Sequence, residues 1–183
     1  MIAQEGITMN KKYMAILAAV IIIVVVIVVA AVVILPGLFK PPVDISGIDL
    51  STDMTSSTLL ASTLAGKQLD QGSVSTSNEQ VTTDARDFEV THTTAEYDGV
   101  TVHIIKAQFS SDTADVLDVL INDDGWYGSA SASTKTNDWF TASKGGRSAF
   151  FWRSGVWVFG IDAESDTVRN NAASDLAQHL RTL

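Results

Sequence analysis

Residues 148–161 read SAFFWRSGVWVFGI, and the folding of this stretch decides the architecture. Two runs rich in aromatic and β-branched residues, 148–152 and 156–161, flank Ser154-Gly155. Such runs around a Gly-containing turn predict a β-hairpin. With Ser154-Gly155 as a two-residue turn, Trp152 faces Trp157, Phe150 faces Phe159, and Ile161 joins that face. The reverse face carries Phe151, Val158 and Val156 with Ala149 and Gly160. Both faces are apolar, which predicts strands that are covered on both sides or that cover something. The ladder Trp152, Trp157, Phe150 and Phe159 therefore has two readings. Under the helices it is core; with the helices on the reverse face it is an exposed patch for a partner protein or an apolar ligand.

A second hairpin lies upstream. Residues 88–94, FEVTHTT, and 100–109 flank Tyr97-Asp98-Gly99, and Asp-Gly between apolar alternations is a strong hairpin signal. A two-residue turn pairs Tyr97 with Val100, Thr94 with His103, His92 with Ile105, Val90 with Ala107 and Phe88 with Phe109. One face then holds Phe88, Val90, Ile105, Ala107 and Phe109 as core, with His92 and His103 as diagonal neighbours at its other end. The opposite face pairs Thr91 with Lys106 and Glu89 with Gln108, and reads as wetter.

Helices separate and follow the hairpins. Asp112 opens the first, Ala114, Leu117, Leu120 and Ile121 mark its apolar side, and Asn122-Asp123-Asp124-Gly125 ends it. The last helix starts near Asp166, with Val168, Ala172, Leu176, Leu180 and Leu183 on one side. Trp139-Phe140 predicts a short extra strand, and Lys144-Gly145-Gly146 a turn. The order β-β-α-(β)-β-β-α predicts an α+β domain over residues 86–183: an antiparallel sheet of two hairpins with both helices packed on one face.

Before the domain, residues 36–85 read as a tether. Pro36-Gly37 and Pro41-Pro42 stop helix and stiffen the chain. Residues 51–83 contain 14 Ser or Thr in 33 positions. They predict a stalk with one short amphipathic helix, built on Met54, Leu60, Ala61, Leu64 and Ala65, followed by a flexible polar loop over 72–83.

Residues 13–35 are an apolar run with no charge, Gly or Pro. At about 1.5 Å per residue a helix here reaches roughly 34 Å, enough to cross a hydrocarbon core of about 30 Å. Lys11 and Lys12 precede the run and Lys40 follows it. The positive-inside rule then puts residues 1–12 in the cytoplasm as a short tail and the domain outside, a single-pass arrangement at the cell membrane. A cleaved signal peptide is the alternative. Its apolar region spans about 7–15 residues before a small-x-small site, whereas here Ala30-Ala31 is followed by more Val and Ile.

Charge narrows the partners. Of 21 acidic residues 20 lie after residue 40, with 9 of the 12 basic ones, a net of −11. Nucleic acid and anionic lipid surfaces need Lys or Arg clusters, so nucleic acid is not expected. The chain has no Cys, which removes disulfides, thiol catalysis and thiolate metal sites.

The remaining side-chain chemistry is sparse. His92 and His103 are weak candidates for a metal site, which would need further ligands. Edge-of-core histidines bonded to their neighbours are commoner. Asp123, Asp124, Trp126 and Tyr127 combine acid and aromatic groups in one loop, which suits cations or sugars but is also an ordinary helix exit. Lys144-Gly145-Gly146-Arg147 lacks the strand-loop-helix setting of a phosphate loop. No catalytic constellation is expected, and no cofactor. The sequence points first to a membrane-anchored envelope protein whose ectodomain contacts a protein partner, forms a homo-oligomer or joins a membrane complex. Behind it stand a ligand- or ion-sensing ectodomain and an enzyme using His92 and His103.

Overall fold

The centre of the molecule is a strand pair that is apolar on both sides, and its neighbours are arranged to cover it. In the computed structural model, residues 40–122, 126–128 and 138–183 are described. The expected membrane anchor at 13–35, the tail before it, and Asp123 and Asp124 lie outside them. Among the described residues no helix is long and apolar enough to cross a membrane.

Nine strands form among the described residues, β1 (Thr63–Leu64), β2 (Lys67–Gln68), β3 (Asp70–Thr82), β4 (Asp87–Glu96), β5 (Val100–Ala107), β6 (Tyr127–Gly128), β7 (Trp139–Lys144), β8 (Arg147–Ser154) and β9 (Trp157–Ala163). Among the same residues two α-helices accompany them, α1 (Asp112–Asn122) and α2 (Asp166–Leu180). Seven strands make one antiparallel sheet in the order β3-β4-β5-β9-β8-β7-β6, while β1 and β2 form a separate small ladder. The class is α+β, as the element order predicts.

The helices lie on opposite faces, not on one. On the first face Ala172, Ala173, Leu176 and Leu180 of α2 pack with Val102, Ile104, Phe150, Trp152, Phe159 and Ile161. On the second, Val116, Leu117 and Leu120 of α1 pack with Val90, Ile105, Phe140, Phe151 and Val158. The reason is the double apolarity of β8 and β9. Each face exposes Phe and Val side chains whose burial is worth about 1.5–3 kcal/mol apiece, and one covered face would leave the other wet. α2 is set by Ser165, whose Oγ accepts the Val168 N–H at 3.4 Å, with Asp166 in the first turn and His179 in the last.

The β4–β5 register is the expected one: Val90 pairs Ala107, His92 pairs Ile105 and Thr94 pairs His103. Asp98 and Gly99 both take positive φ, 47° and 85°, as a type I′ turn requires. The β8–β9 turn is Gly155-Val156 instead of Ser154-Gly155, so Trp152 pairs Phe159 and Phe150 pairs Ile161. Only Gly155 has positive φ in that turn, and a lone leading Gly selects the type II′ hairpin. The slip is two residues, so the paired side chains keep their expected faces, while Val156, read as part of the reverse face, lies in the turn and packs in the α2-side core.

Three other expectations are corrected. Phe109 is 56% exposed, because β5 ends at Ala107 and Phe109 turns away before α1. The face of β4 and β5 read as wetter is so only at one end: Glu89 and Gln108 are exposed and Thr91 and Lys106 half-buried, but further along Thr93, Ala95, Val102 and Ile104 are buried. The tether is largely part of the domain. Residues 41–183 belong to one unit, with Leu59 and Leu64 fully buried on the α2 side and Val43 buried beside them. The expected helix is a single 3-10 turn, Ser56–Leu59, followed by the small β1–β2 hairpin around Ala65-Gly66. The Tyr97 hydroxyl donates to the Ala61 carbonyl at 2.7 Å, locking this segment to the sheet, and burial pushes that phenol up to about 12.

Gly160 lets the second face close. A Cβ there would overlap the Phe151 ring and press on His103 Cβ at 3.2 Å. Phe151 in turn stacks on Phe140 at 4.9 Å. Replacing Gly160→Ala therefore displaces an aromatic stack, and chemical denaturation is expected to show a loss of about 1–3 kcal/mol, the ordinary range for overpacking.

Candidate interaction edge and its histidine chain

Residues 72–83, read from sequence as a loop, belong almost wholly to β3, a strand of 13 residues at one edge of the sheet. Hydrophobic alternation is nearly absent there because both sides of the strand are largely exposed; Val81 is its only buried residue. Backbone pairing with β4 holds it, helped by short polar links. Thr76 and Thr93 hydroxyls meet at 2.9 Å, Thr91 Oγ1 donates to Asn78 Oδ1 at 3.2 Å, and Ser73 Oγ accepts the Glu96 N–H at 2.8 Å.

The ladder parity shows which backbone groups face outward. The Tyr97 N–H donates to the Val100 carbonyl, so odd-numbered residues of β4 turn their peptide groups to β5 and even-numbered ones to β3. Thr94, His92, Val90 and Phe88 therefore bond Ser75, Ser77, Glu79 and Val81. Thr76, Asn78, Gln80 and Thr82 direct their N–H and C=O groups away from the sheet. From Ser75 to Thr82 the sequence STSNEQVT holds one charge and no Lys, Pro or Gly. Lys, Pro and bulges are the usual guards of an exposed edge.

The one charge on this segment points sideways. Glu79 Oε1 accepts from Ser77 Oγ at 3.0 Å and lies 2.9 Å from His92 Nδ1. His92 Nε2 lies 3.1 Å from His103 Nδ1, and the two rings stack at 5.4 Å. The order fixes the tautomers. With Glu79 ionised, His92 Nδ1 donates to it, His92 Nε2 accepts from His103 Nδ1–H, and His103 Nε2 is left as a lone pair. That nitrogen is sealed from solvent and has no partner among the described residues. Burial pushes the His103 pKa down to about 4, reinforced by repulsion from His92 when that ring is protonated and by the Arg147 charge.

The structure thus brings His92 and His103 together, but as a hydrogen-bonded chain. His92 uses both ring nitrogens within it, and among the described residues no group of three or more His, Asp or Glu converges as metal ligands. A neutral imidazole with its free nitrogen enclosed is a packing element that fixes three strands to one another. Trp126 is buried edge-on against Phe151 at 5.6 Å, with the Lys144 ammonium 5.6 Å from its ring centre. Tyr127 contributes backbone to β6, paired with Ser143. The aromatic ladder is interior: Trp152, Trp157, Phe150 and Phe159 have no exposed surface, so the core reading of that face describes it.

A cleft of about 550 Å³ lies between the Lys144–Arg147 turn and the start of α2. Its arginines are directed inward. Arg147 Nε donates to Asp162 Oδ1 at 2.5 Å, and Arg169 donates to Ser148, Ala149 and Asp166. Burial raises the Asp162 carboxyl and lowers the Arg169 guanidinium, each opposed by its partner's charge.

Sequence reasoning missed β3 and Glu79. The available signal was weak: β-branched Val74, Thr76, Val81 and Thr82 in a stretch without Pro. In comparisons with protein-family models, curated proteins and solved structures, nothing matches this chain.

The histidine chain has a pH signature. His103 titrates near 4 when folded and near 6.5 when unfolded, so the unfolded chain binds more protons between those values. Stability is expected to fall as pH drops from 6.5 to 4. In His103→Gln that part of the pH dependence should vanish, measured as the difference between the two proteins' urea-unfolding free energies across this range.

Proposed function

We propose that this chain is a single-pass envelope protein, held by residues 13–35, whose domain outside the cytoplasm docks another protein along β3. The observation that carries the docking reading is the open edge. At the centre of the sheet both faces are closed by α1, α2 and the segment around Leu59 and Leu64, while among the described residues nothing pairs with the outer side of β3, whose outward backbone groups have no edge guard over 75–82. A partner strand added there would gain main-chain hydrogen bonds, the mode called β-augmentation. The acidic balance of residues 41–183 argues for a protein partner over nucleic acid or an anionic membrane surface.

The anchor rests on hydropathy and charge. A run of 23 residues without a charge suits the bilayer interior, and Lys11 with Lys12 outweighs Lys40 in setting direction. Crosslinking of native membranes followed by mass spectrometry tests both parts. The chain should resist carbonate washing and enter detergent, and crosslinks to a protein partner should fall on residues 73–82. Crosslinks gathered instead on α2 or the Lys144–Arg147 turn would overturn the edge reading, and release by carbonate would overturn the anchor.

A further inference from the structure

We propose that the protein docked on β3 is a second copy of this chain, paired antiparallel about a twofold axis at Asn78. This rests on the reading of β3 as the docking edge and adds its occupant. In that register Asn78 faces its own copy and Thr76 faces Gln80, each with backbone groups already turned outward. Three such mutual pairs exchange about six main-chain hydrogen bonds.

Self-pairing brings one like-charge pair near the axis, the two Glu79 side chains, as diagonal and not direct neighbours. Glu79 would stand opposite Ser77 of the second copy, and its carboxylate is already drawn toward His92. Asn78, Thr76 and Gln80 carry neutral amides and hydroxyls, which pair with their like across a strand boundary. A head-to-tail assembly would need a second long edge. Among the described residues the opposite edge is β6, only two residues long, so the isologous contact is the one available.

The symmetry suits a shared membrane. An antiparallel strand pair has its twofold axis perpendicular to the sheet, so both copies turn the same face to the same side. The chain enters the domain on the α2 face: Val43, Ile45, Ile48 and Leu50 pack into that core, and Arg181 donates to the Asp44 and Ser46 carbonyls. Both tethers therefore start on one side of the joined sheet, as two anchors in one bilayer require. Confinement to that bilayer raises the effective concentration of a modest edge contact.

The absence of Cys makes the test clean. The full chain carrying Asn78→Cys is expressed in native membranes and treated with a thiol oxidant or a short bis-methanethiosulfonate. A hydrogen-bonded antiparallel pair sets the two Cα atoms about 5.5 Å apart, within disulfide reach. A covalent homodimer is expected, and none from Asn171→Cys on the exposed side of α2. Co-expressed Thr76→Cys and Gln80→Cys chains should crosslink to each other and provide a second readout if the Asn78 variant folds poorly. Adding Gln80→Pro removes an outward N–H that makes no bond to β4. It should lower the Asn78→Cys dimer yield by at least about tenfold. Capture of a different protein by Asn78→Cys would overturn the second copy and keep the docking edge. A yield no higher than that of Asn171→Cys, with nothing else captured, would overturn both. A dimer undiminished by Gln80→Pro would overturn strand pairing as its basis.

Discussion

The whole domain depends on one constraint, the double apolarity of β8 and β9. Every residue of β9 is buried, from Trp157 to Ala163. A strand pair of this kind is stable only inside a layered structure, so the chain must supply cover twice. It does so with unlike materials. α2 covers one face closely, since three of its buried residues are Ala, and leaves room for the stack Phe150–Trp152–Phe159 at spacings of 5.1 and 5.3 Å. α1 covers the other with Val and Leu, and Gly160 clears the space into which Phe151 lies. What α2 does not reach is filled by residues 43–64, which explains why a Ser/Thr-rich segment is integral to the fold.

From this centre polarity rises toward β3. Ile105 on β5 is buried and His103, two residues away, begins the polar part of the same face. The chain His103–His92–Glu79 then crosses three strands, each link about as long as an ordinary hydrogen bond. At the β5–β9 end of that face Arg147, Asp162 and Thr101 form another linked group. These networks satisfy polar groups where burial is partial, and the enclosed lone pair of His103 marks the boundary between the two regimes. The chain also holds the Glu79 carboxylate over the sheet face and away from the strand's outer side, which leaves the edge itself neutral.

Local turn chemistry made the first hairpin legible to the residue. Asp98-Gly99 admits one tight turn, and the alternation of Val90, Ile105 and Ala107 agrees with it. For the second hairpin faces were legible and partners were not, because strand parity survives a two-residue slip while the turn's Gly position does not announce its type. The placement of the helices followed from a fact already visible, the two apolar faces of residues 148–161, yet the count of helices alone does not distribute them. β3 was illegible by periodicity. Its side chains meet water on both sides, and its order comes from β4, a non-local partner whose influence no window of sequence contains.

On the proposed docking reading, the same physics explains why the chain offers no functional motif. Recognition by a strand edge is carried by peptide groups, which every residue but Pro possesses. Such a surface needs only extended backbone, outward parity and the absence of guards. Its sequence mark is therefore a lack: eight residues, Ser75 to Thr82, with no Lys, Pro or Gly and with the one carboxylate bonded to a neighbouring histidine. A side-chain catalyst or a metal site would have to show residues of fixed type at fixed distances. A β edge shows itself only after the sheet is assembled and its last strand is seen to be unpaired. For this domain the informative question is which strand ends the sheet, and the answer depends on the apolar pair at its centre, which fixes the order of all the others.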